Sequence, residues 1–385
     1  MNAFTAIDTG HALPAARAPA VQWVTPGAIP PDLAAQWDEL AANAAEPNVF
    51  VQRWFVEASA PLATRDVRLL AVRDAGQLIG VLPLARASHY GRLPLAHVEN
   101  WLHYHAFLGG PPLRAGWEQA AWTTILTELD ADPASTGLLH LTGLVEHGPV
   151  HAALLAAAKR PCHTVHRIER ALLHSDLAPA DYYAATVRKK KRKEIGRLQS
   201  RLAELGSVAT RRLSPHEDLD EWIDAFLALE AAGWKGRAGS ALACQPETAA
   251  FFRAALHGAH GAGKLELLRL DLDGRPIAIL VNFLDPPGSY SFKTAFDEEF
   301  ARFSPGVLIK LANLDILTRT DIAWMDSCAA QDHPMIDSLW GQRRAIIRVT
   351  LPLAGWRSRA AFHAVRTLER LAAARKRRPA PEPQA

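Results

Sequence analysis

Two side chains near the end of a predicted strand can take up protons. Asp326 and His333 lie in the stretch MDSCAAQDHPM, which continues the predicted strand DIAWMDSC (321–328) into a loop. A carboxylate at a strand end, with an imidazole a few residues on, can deprotonate an ammonium group directly or through water. Each residue keeps an alternative, because Asp326 could cap a following helix and His333 could be an ordinary loop histidine.

A Ser-Pro-Gly corner at 304–306 could hold a phosphate group. It follows a predicted strand, Tyr290–Phe296, and an acidic loop, and it opens an apolar-periodic helix from Val307. Such a helix start presents unpaired N–H groups and a partial positive charge, which suit the pyrophosphate of a nucleotide-like cofactor. An ordinary strand-to-helix connection is the alternative. The residues predicted to line this site are Phe303, Ser304, Pro305, Gly306, Val307 and Leu308.

Further polar side chains could complete a site. Lys293 lies on the predicted strand before the corner and could pair with Asp326 or bind an acidic substrate group. His103 and His105 would share one strand face if residues 101–107 are extended, and could then line a cleft between domains. No further ligands accompany the two histidines, so no metal site is predicted.

A loop after the predicted helix Leu219–Gly233 carries Trp234, Lys235 and Arg237, where a segment covering a substrate would lie. The alternative is a core tryptophan beside exposed cations. Cys328 has no evident base beside it, which favours a buried structural thiol over a nucleophile.

Composition indicates an ordinary globular protein of two domains. The chain has 385 residues, 49% hydrophobic and 22% charged, and it exceeds the size at which one core stops growing. The net charge of +3 disfavours a DNA or RNA partner. Three widely separated cysteines, without CxxC spacing, indicate a reducing compartment such as the cytoplasm. We expect no signal peptide and no membrane-spanning segment.

The order of predicted elements repeats along the chain. Each half contains a hairpin of similar form, Leu69–Leu84 and Leu267–Phe283, which suggests a structural duplication. Between the halves, Thr186–Gly206 predicts a basic amphipathic helix. Its cations at Arg188–Lys193 could face water, bind phosphate, or contact a membrane surface or nucleic acid. A second basic helix is predicted at Arg357–Arg378.

Several segments carry a resemblance to a known family. In the C-terminal half they are KKKRKEIGRLQSRL (189–202), LEAAGWKGRAGSAL (229–242), LRLDLDGRPIAIL (268–280) and FKTAFDEEFARFSPGVLI (292–309). In the N-terminal half they are RWFVEA, GVLPL and WLHYHAFLGGPPL. Together, and in this order, they resemble the CelD-like acetyltransferase branch of the GNAT (acyl-CoA N-acyltransferase) superfamily. The tandem arrangement is similar to that of the Fem peptidoglycan aminoacyltransferases.

The resemblance implies an α+β fold with two tandem GNAT-like domains, each a mixed, mostly antiparallel sheet flanked by helices. The implied ranges are a disordered N-terminus (1–20), an N-terminal degenerate GNAT-like domain (21–180), a basic linking helix (181–210), a C-terminal acyl-CoA-binding domain (211–355), and a basic helix with a disordered tail (356–385).

The resemblance also implies an N-acyltransferase that uses acetyl-CoA or a longer acyl-CoA and no metal. The acceptor would be the amine of a small molecule, an envelope polysaccharide or a lipid precursor, and peripheral contact with the inner face of the membrane stays open. Asp326, His333 and Lys293 are the predicted catalytic residues; Trp234, Lys235, Arg237, His103 and His105 are the predicted substrate-binding residues. A non-catalytic GNAT-fold binding module and a Fem-like aminoacyl transferase are the alternatives. GNAT enzymes often use a tyrosine after the second strand as an acid, and this chain has none beyond Tyr290.

Overall fold

The structure, a computed structural model, describes residues 19–135 and 137–376, with side chains to residue 371. The predicted disordered tail and nearly all of the predicted disordered N-terminus lie outside these residues. The elements up to the middle of the chain are β1 (Ala20–Val24), α1 (Pro31–Ala42), α2 (Arg53–Ser59), β2 (Val67–Asp74), β3 (Gln77–Ala87), β4 (His97–Asn100), α3 (Glu118–Ala131), β5 (Leu138–Val145), α4 (Pro149–Ala158), β6 (His163–Leu173), α5 (Pro179–Thr186) and α6 (Lys189–Ala203).

The elements of the second half follow the same order. They are β7 (Val208–Arg212), α7 (Leu219–Ala232), α8 (Trp234–Arg237), α9 (Pro246–Gly261), β8 (Leu265–Leu272), β9 (Arg275–Asp285), β10 (Gly288–Phe296), α10 (Pro305–Ala312), β11 (Trp324–Asp326), α11 (Pro334–Asp337), β12 (Gln342–Pro352) and α12 (Trp356–Lys376). The second basic helix was predicted to begin at Arg357 and begins at Trp356.

Both predicted hairpins are confirmed, and the same kind of turn closes each. β2 pairs with β3 and β8 pairs with β9, both antiparallel. The turn residues Ala75 and Gly76 have φ values of 46° and 87°, and Asp273 and Gly274 have 50° and 80°. Two successive positive φ angles define the turn type whose twist matches that of paired strands, and glycine adopts them without steric cost.

All strands join one 12-stranded sheet in the order β1-β2-β3-β4-β5-β12-β6-β11-β10-β9-β8-β7. Each half contributes one parallel pair, β4 with β5 and β10 with β11, and the other neighbours are antiparallel. The halves exchange their last strands: β12 pairs with β5, and β6 pairs with β11. The ranges 21–180 and 211–355 therefore each supply a strand to the other's part of the sheet.

Helices cover both faces of the C-terminal part of the sheet. On β9, Ile279, Val281 and Phe283 face a core shared with α7 and α9, whereas Ala278 and Leu280 face the core under α5, α6 and α10. The first core also joins the halves, because the ring of Phe50 lies 5.2 Å from that of Tyr290. Burial of such aromatic rings makes one of the largest contributions to the stability of a hydrophobic core.

Candidate active site

The strands β10 and β11 part after a short stretch of pairing. Their parallel register covers only Gly288–Tyr290 against Trp324–Asp326. β10 continues to Phe296 along β9, with a bulge between Ser291 and Lys293, whereas the chain leaves β11 through Cys328, whose φ is 52°. From Ser291 onward the edge of β10 that faces β11 has no strand partner among the described residues. An extended ligand that bound between the strands would lie along this edge.

The Ser-Pro-Gly corner begins α10, but it offers fewer free amides than predicted. Ser304 adopts a left-handed conformation, with φ 55° and ψ 53°, at the N-terminal end of the helix. The N–H groups of Val307 and Leu308 donate to the Ser304 carbonyl at 2.9 and 3.1 Å. Within the described residues, the Gly306 amide is the one at this helix start that makes no such bond.

The corner lies against the end of β10. A Cβ atom at Gly306 would lie 3.4 Å from Cδ1 of Phe296 and 3.8 Å from Sδ of Met335, so a larger side chain would displace both neighbours. Phe303 is buried beneath the corner, and the exposed guanidinium of Arg302 stacks on it at 4.7 Å. The corner and the parted strands therefore adjoin each other, with a cation at their rim.

Lys293 and two histidines meet beside the bulge. Lys293 Nζ lies 3.2 Å from Nδ1 of His105, and the His105 ring stacks on Phe251 with 5.3 Å between centroids. The rings of His103 and His105 are 6.1 Å apart. Residues 101–107 form a turn rather than the predicted strand, so the histidines converge by stacking on aromatic rings instead of by strand alternation. Lys293 bonds to His105, and the predicted pairing with Asp326 is wrong.

The environment keeps both imidazoles neutral. Burial, reinforced by the charge of Lys293, lowers the pKa of His105 to about 3 and that of His103 to about 4. Burial and repulsion by Lys235 lower the pKa of Lys293 to about 8. At neutral pH the ammonium of Lys293 thus donates to an unprotonated Nδ1 of His105. A lysine that titrates near neutrality, hydrogen-bonded to a neutral imidazole, can exchange protons with a bound amine.

Residues 189–343 match the family model described as the acetyltransferase (GNAT) domain. Over this segment the chain is similar to a GNAT domain. This segment includes β10, the corner, α10 and β11, so the parted strands and the corner belong to it. A search of curated proteins found no match.

Three solved structures resemble the whole chain. FemX has a TM-score of 0.54 at 11% identity, covering 82% of this chain and 95% of its own. The C-terminal domain (DUF2156) of a candidate lysylphosphatidylglycerol synthetase from Agrobacterium fabrum has 0.53 at 12%, covering 87% and 96%. A tandem GNAT protein from the clavulanic acid biosynthesis pathway has 0.42 at 20%, covering 87% and 99%. The first two show a shared fold, and the predicted α+β class with a mostly antiparallel sheet is confirmed.

In the N-terminal half, the space between the parallel strands β4 and β5 is bridged by the segment that follows β4. Asn100 Nδ2 at the end of β4 donates to the carbonyls of Gly109 and Thr142, both at 2.9 Å, and the Gly109 amide donates to Gly143 of β5. A Cβ atom at Gly109 would lie 2.2 Å from the Thr142 carbonyl oxygen, so only glycine fits. The segment that closes this pair also brings His103 and His105 to Lys293 and Phe251 of the C-terminal half.

In the loop after α7, Lys235 lies near the Lys293 cluster, whereas Trp234 and Arg237 lie at the surface. Lys235 Nζ pairs with the buried carboxylate of Glu230 at 2.6 Å and is near enough to lower the pKa of Lys293. Arg237 pairs with Glu298, which also accepts a bond from the Trp234 amide. Trp234 is 56% exposed. Lys235 thus tunes the cluster, while Trp234 and Arg237 lie at its outer edge.

Asp326 is engaged in a buried ionic pair rather than facing the cluster. Its side chain is 0% exposed, and Oδ1 lies 2.7 Å from Nε of Arg170, while Arg344 approaches at 3.4 Å. Oδ1 also accepts the Cys328 amide at 2.9 Å. Arg170 Nη1 in turn donates to the Phe107 carbonyl at 3.1 Å. These contacts favour a positioning role, in which Asp326 fixes Arg170 and Arg170 holds the segment that bears His105.

His333 directly precedes α11, and no contact joins it to Lys293 among the described residues. Its Nδ1 is buried without a hydrogen-bond partner among the described residues, and Met335 of α11 contacts Gly306. Cys328 is a free, buried cysteine, and burial raises the pKa of its thiol. No cluster of metal-ligating side chains occurs in the described part of the chain.

Three residues that shape the site escaped the sequence analysis: Arg170, Glu230 and Lys310. Glu230 and Lys310 had a signal, since each is a charge inside an apolar run, as in the segment VLIKLANL around Lys310, whereas Arg170 directly follows the charged Glu169. Charged side chains are almost never fully buried unless they are paired or functional.

Proposed function

We propose that this chain is an acyl-CoA-dependent N-acyltransferase that transfers an acetyl or longer acyl group to an amine. The observation that carries this proposal is the Lys293–His105 pair at the bulge of β10, where the strand separates from β11 inside the segment that is similar to a GNAT domain. The corner with the Gly306 amide and Arg302 offers a donor and a positive charge to a diphosphate. The parted strands offer an extended slot in line with it.

The chemistry assigned to the residues is proton transfer around a thioester. The nitrogen of a neutral acceptor amine bonds to the acyl carbon and becomes an ammonium, the carbon–sulfur bond breaks, that ammonium loses one proton, and one proton reaches the departing sulfur. Neutral Lys293 takes the first proton, and His105 orients the lysine through its Nδ1. Unpaired amides on the free edge of β10 can polarise the thioester carbonyl. The N-terminal half supplies His103 and His105, while its own parallel pair is bridged by Asn100 and Gly109.

Release of free thiol tests this function. The full chain is mixed with acetyl-CoA or a longer acyl-CoA and a panel of amino sugars, amino acids and long-chain amino alcohols. We expect thiol release that requires one of the amines and is absent without it. If no pair gives amine-dependent release and no acyl-CoA binds, the alternative of a non-catalytic binding module is favoured. Amine-dependent transfer from aminoacyl-tRNA alone would favour the Fem-like alternative.

We also propose a peripheral contact between α6 and an anionic lipid surface. α6 buries Ile195 and Leu202, and the one ion pair within its basic run is Lys191 with Glu194, among the described residues. Leu205 and Val208, next along the chain, are 47% and 37% exposed. Cations beside exposed apolar side chains suit the headgroup region of a bilayer. No helix among the described residues has the length and apolarity needed to cross a membrane.

Vesicle sedimentation at two salt concentrations checks this contact. Phosphatidylglycerol vesicles should sediment the protein and phosphatidylcholine vesicles should not, and added salt should weaken the effect. Replacing the exposed Lys189, Lys190 and Lys193 by glutamate should abolish the sedimentation. The matched control replaces three exposed cations elsewhere by glutamate, Arg92, Lys159 and Arg348. Equal sedimentation of both variants would count against α6 as the contact.

A further inference from the structure

Lys310 is a buried cation in the last turn of α10. Its side chain is 5% exposed, and Nζ donates to Oγ of Ser291, which is 2% exposed. Among the described residues its other charge-sensitive neighbours are the ring of Trp340, 6.0 Å from Nζ, and the thiol of Cys328. Within the described residues Lys310 makes no ion pair. A buried ammonium without a counter-ion destabilises a fold, so its presence calls for a functional reason.

Lys310 contacts β10 at the point where that strand separates from β11. Ser291 is the first residue of β10 beyond its pairing with β11. Ser291 is paired with Asn282, which bonds Asn313 on the α10 side, whereas Lys293 is paired with Val281, which faces the α7 and α9 core. The two lysines therefore approach the bulge of β10 from opposite faces of the sheet.

We propose that Lys310 is the catalytic acid that protonates the departing thiolate. This inference rests on the proposed acyl transfer. The acceptor amine approaches from the Lys293 face and forms the new carbon–nitrogen bond. As the carbon–sulfur bond breaks, Nζ of Lys310 gives a proton to the sulfur, yielding free thiol and a neutral lysine. Solvent protonates Lys310 again once the thiol has left. The chain has no tyrosine beyond Tyr290 for this task.

The surroundings suit an acid that works near neutral pH. The groups facing Lys310 are Ser291 of β10, Cys328 after β11 and the indole of Trp340. Burial lowers the pKa of Lys310 to about 7. Burial raises the pKa of Cys328, so that thiol stays uncharged over the same range. Transfer thus requires Lys310 protonated and Lys293 neutral, which predicts a bell-shaped pH profile with limbs near pH 7 and 8.

A change of leaving group separates this role from a structural one. Lys310→Met preserves volume, and we expect kcat with acyl-CoA to fall about 10²–10³-fold. The selenoester analogue of the same donor releases a more acidic group that needs no proton. With this analogue, kcat of the variant should therefore lie within about tenfold of the wild-type value. Removal of the buried charge should also raise the melting temperature.

Three results with Lys310→Met would overturn the inference. Equal kcat for Lys310→Met and wild type overturns it, as does an equal loss with thioester and selenoester. A lowered melting temperature indicates a structural lysine and also overturns it. If the variant does not fold, the inference can be tested on the wild type alone. The alkaline limb of its pH profile should be present with the thioester and absent with the selenoester, and any other result overturns the inference. A wild type that releases no thiol with any amine would instead remove the proposed function itself.

Discussion

Replacing Lys293 with methionine should lower kcat/KM for acyl transfer about 10²–10³-fold, the usual range for loss of a general base. The same change should remove the acidic limb of the pH profile. The sign follows from the pKa of Lys293, which is lowered to about 8, because the neutral amine that accepts a proton becomes populated only as pH rises through that value. Thiol release measured from pH 6 to 10 gives both quantities.

Lys293→Arg is the matched variant for this prediction. Arginine keeps the positive charge but does not lose its proton in this pH range. If Lys293 is the base, arginine should be as damaging as methionine. Near-normal activity of Lys293→Arg would show that the residue binds an acidic substrate group instead. His105→Phe should retain the stack on Phe251 and cost less, about tenfold, because it removes only the acceptor that orients Lys293.

Replacing Arg170 with methionine should lower the free energy of unfolding by about 3–5 kcal/mol. The loss is large because the change leaves the carboxylate of Asp326 buried and without its closest counter-ion. It should also reduce transfer activity, since Arg170 holds the Phe107 carbonyl and with it the segment that bears His105. Urea denaturation monitored by tryptophan fluorescence gives the free energy.

Arg167 provides the control on the same strand. It pairs with Glu146 and Glu169 at the surface, so Arg167→Met should change the free energy of unfolding far less than Arg170→Met. The double change Arg170→Met with Asp326→Leu should recover part of the stability, because the buried carboxylate is removed together with its closest counter-ion and only Arg344 loses a partner. A small effect of Arg170→Met alone, similar to that of Arg167→Met, would contradict the positioning role assigned to the pair.

Local patterns in the sequence predicted the local structure well. The Ala75-Gly76 and Asp273-Gly274 turns identified both hairpins, because few residues tolerate positive φ and the flanking runs favour strands. Spacing of Ile195 and Leu202 identified α6, whose apolar side faces the core. The predicted strand from residue 321 shortened to β11, since only Trp324–Asp326 pairs with β10, and only Met325 and Asp326 also pair with β6.

Local sequence patterns could not predict which strands pair across the two halves. Nothing local to β6 or β12 indicates that each pairs with the opposite half, because the choice depends on which strand edges remain open after the rest of the sheet forms. The environments of Asp326 and Lys293 also depend on residues that are distant in the sequence. Arg170, which lies far away in the sequence, determines that Asp326 is paired, and the closed N-terminal pair determines that His105 reaches Lys293.

Binding of acyl-CoA at the corner of α10 is the claim on which the account depends, and calorimetric titration tests it directly. Gly306→Trp should abolish the binding heat, because the new side chain enters the space bordered by Phe296 and Met335. Gly27→Trp, at a glycine with no heavy atom near its Cβ position, should bind acyl-CoA as the wild type does. Equal binding by all three proteins, or binding by none, would contradict the proposed site.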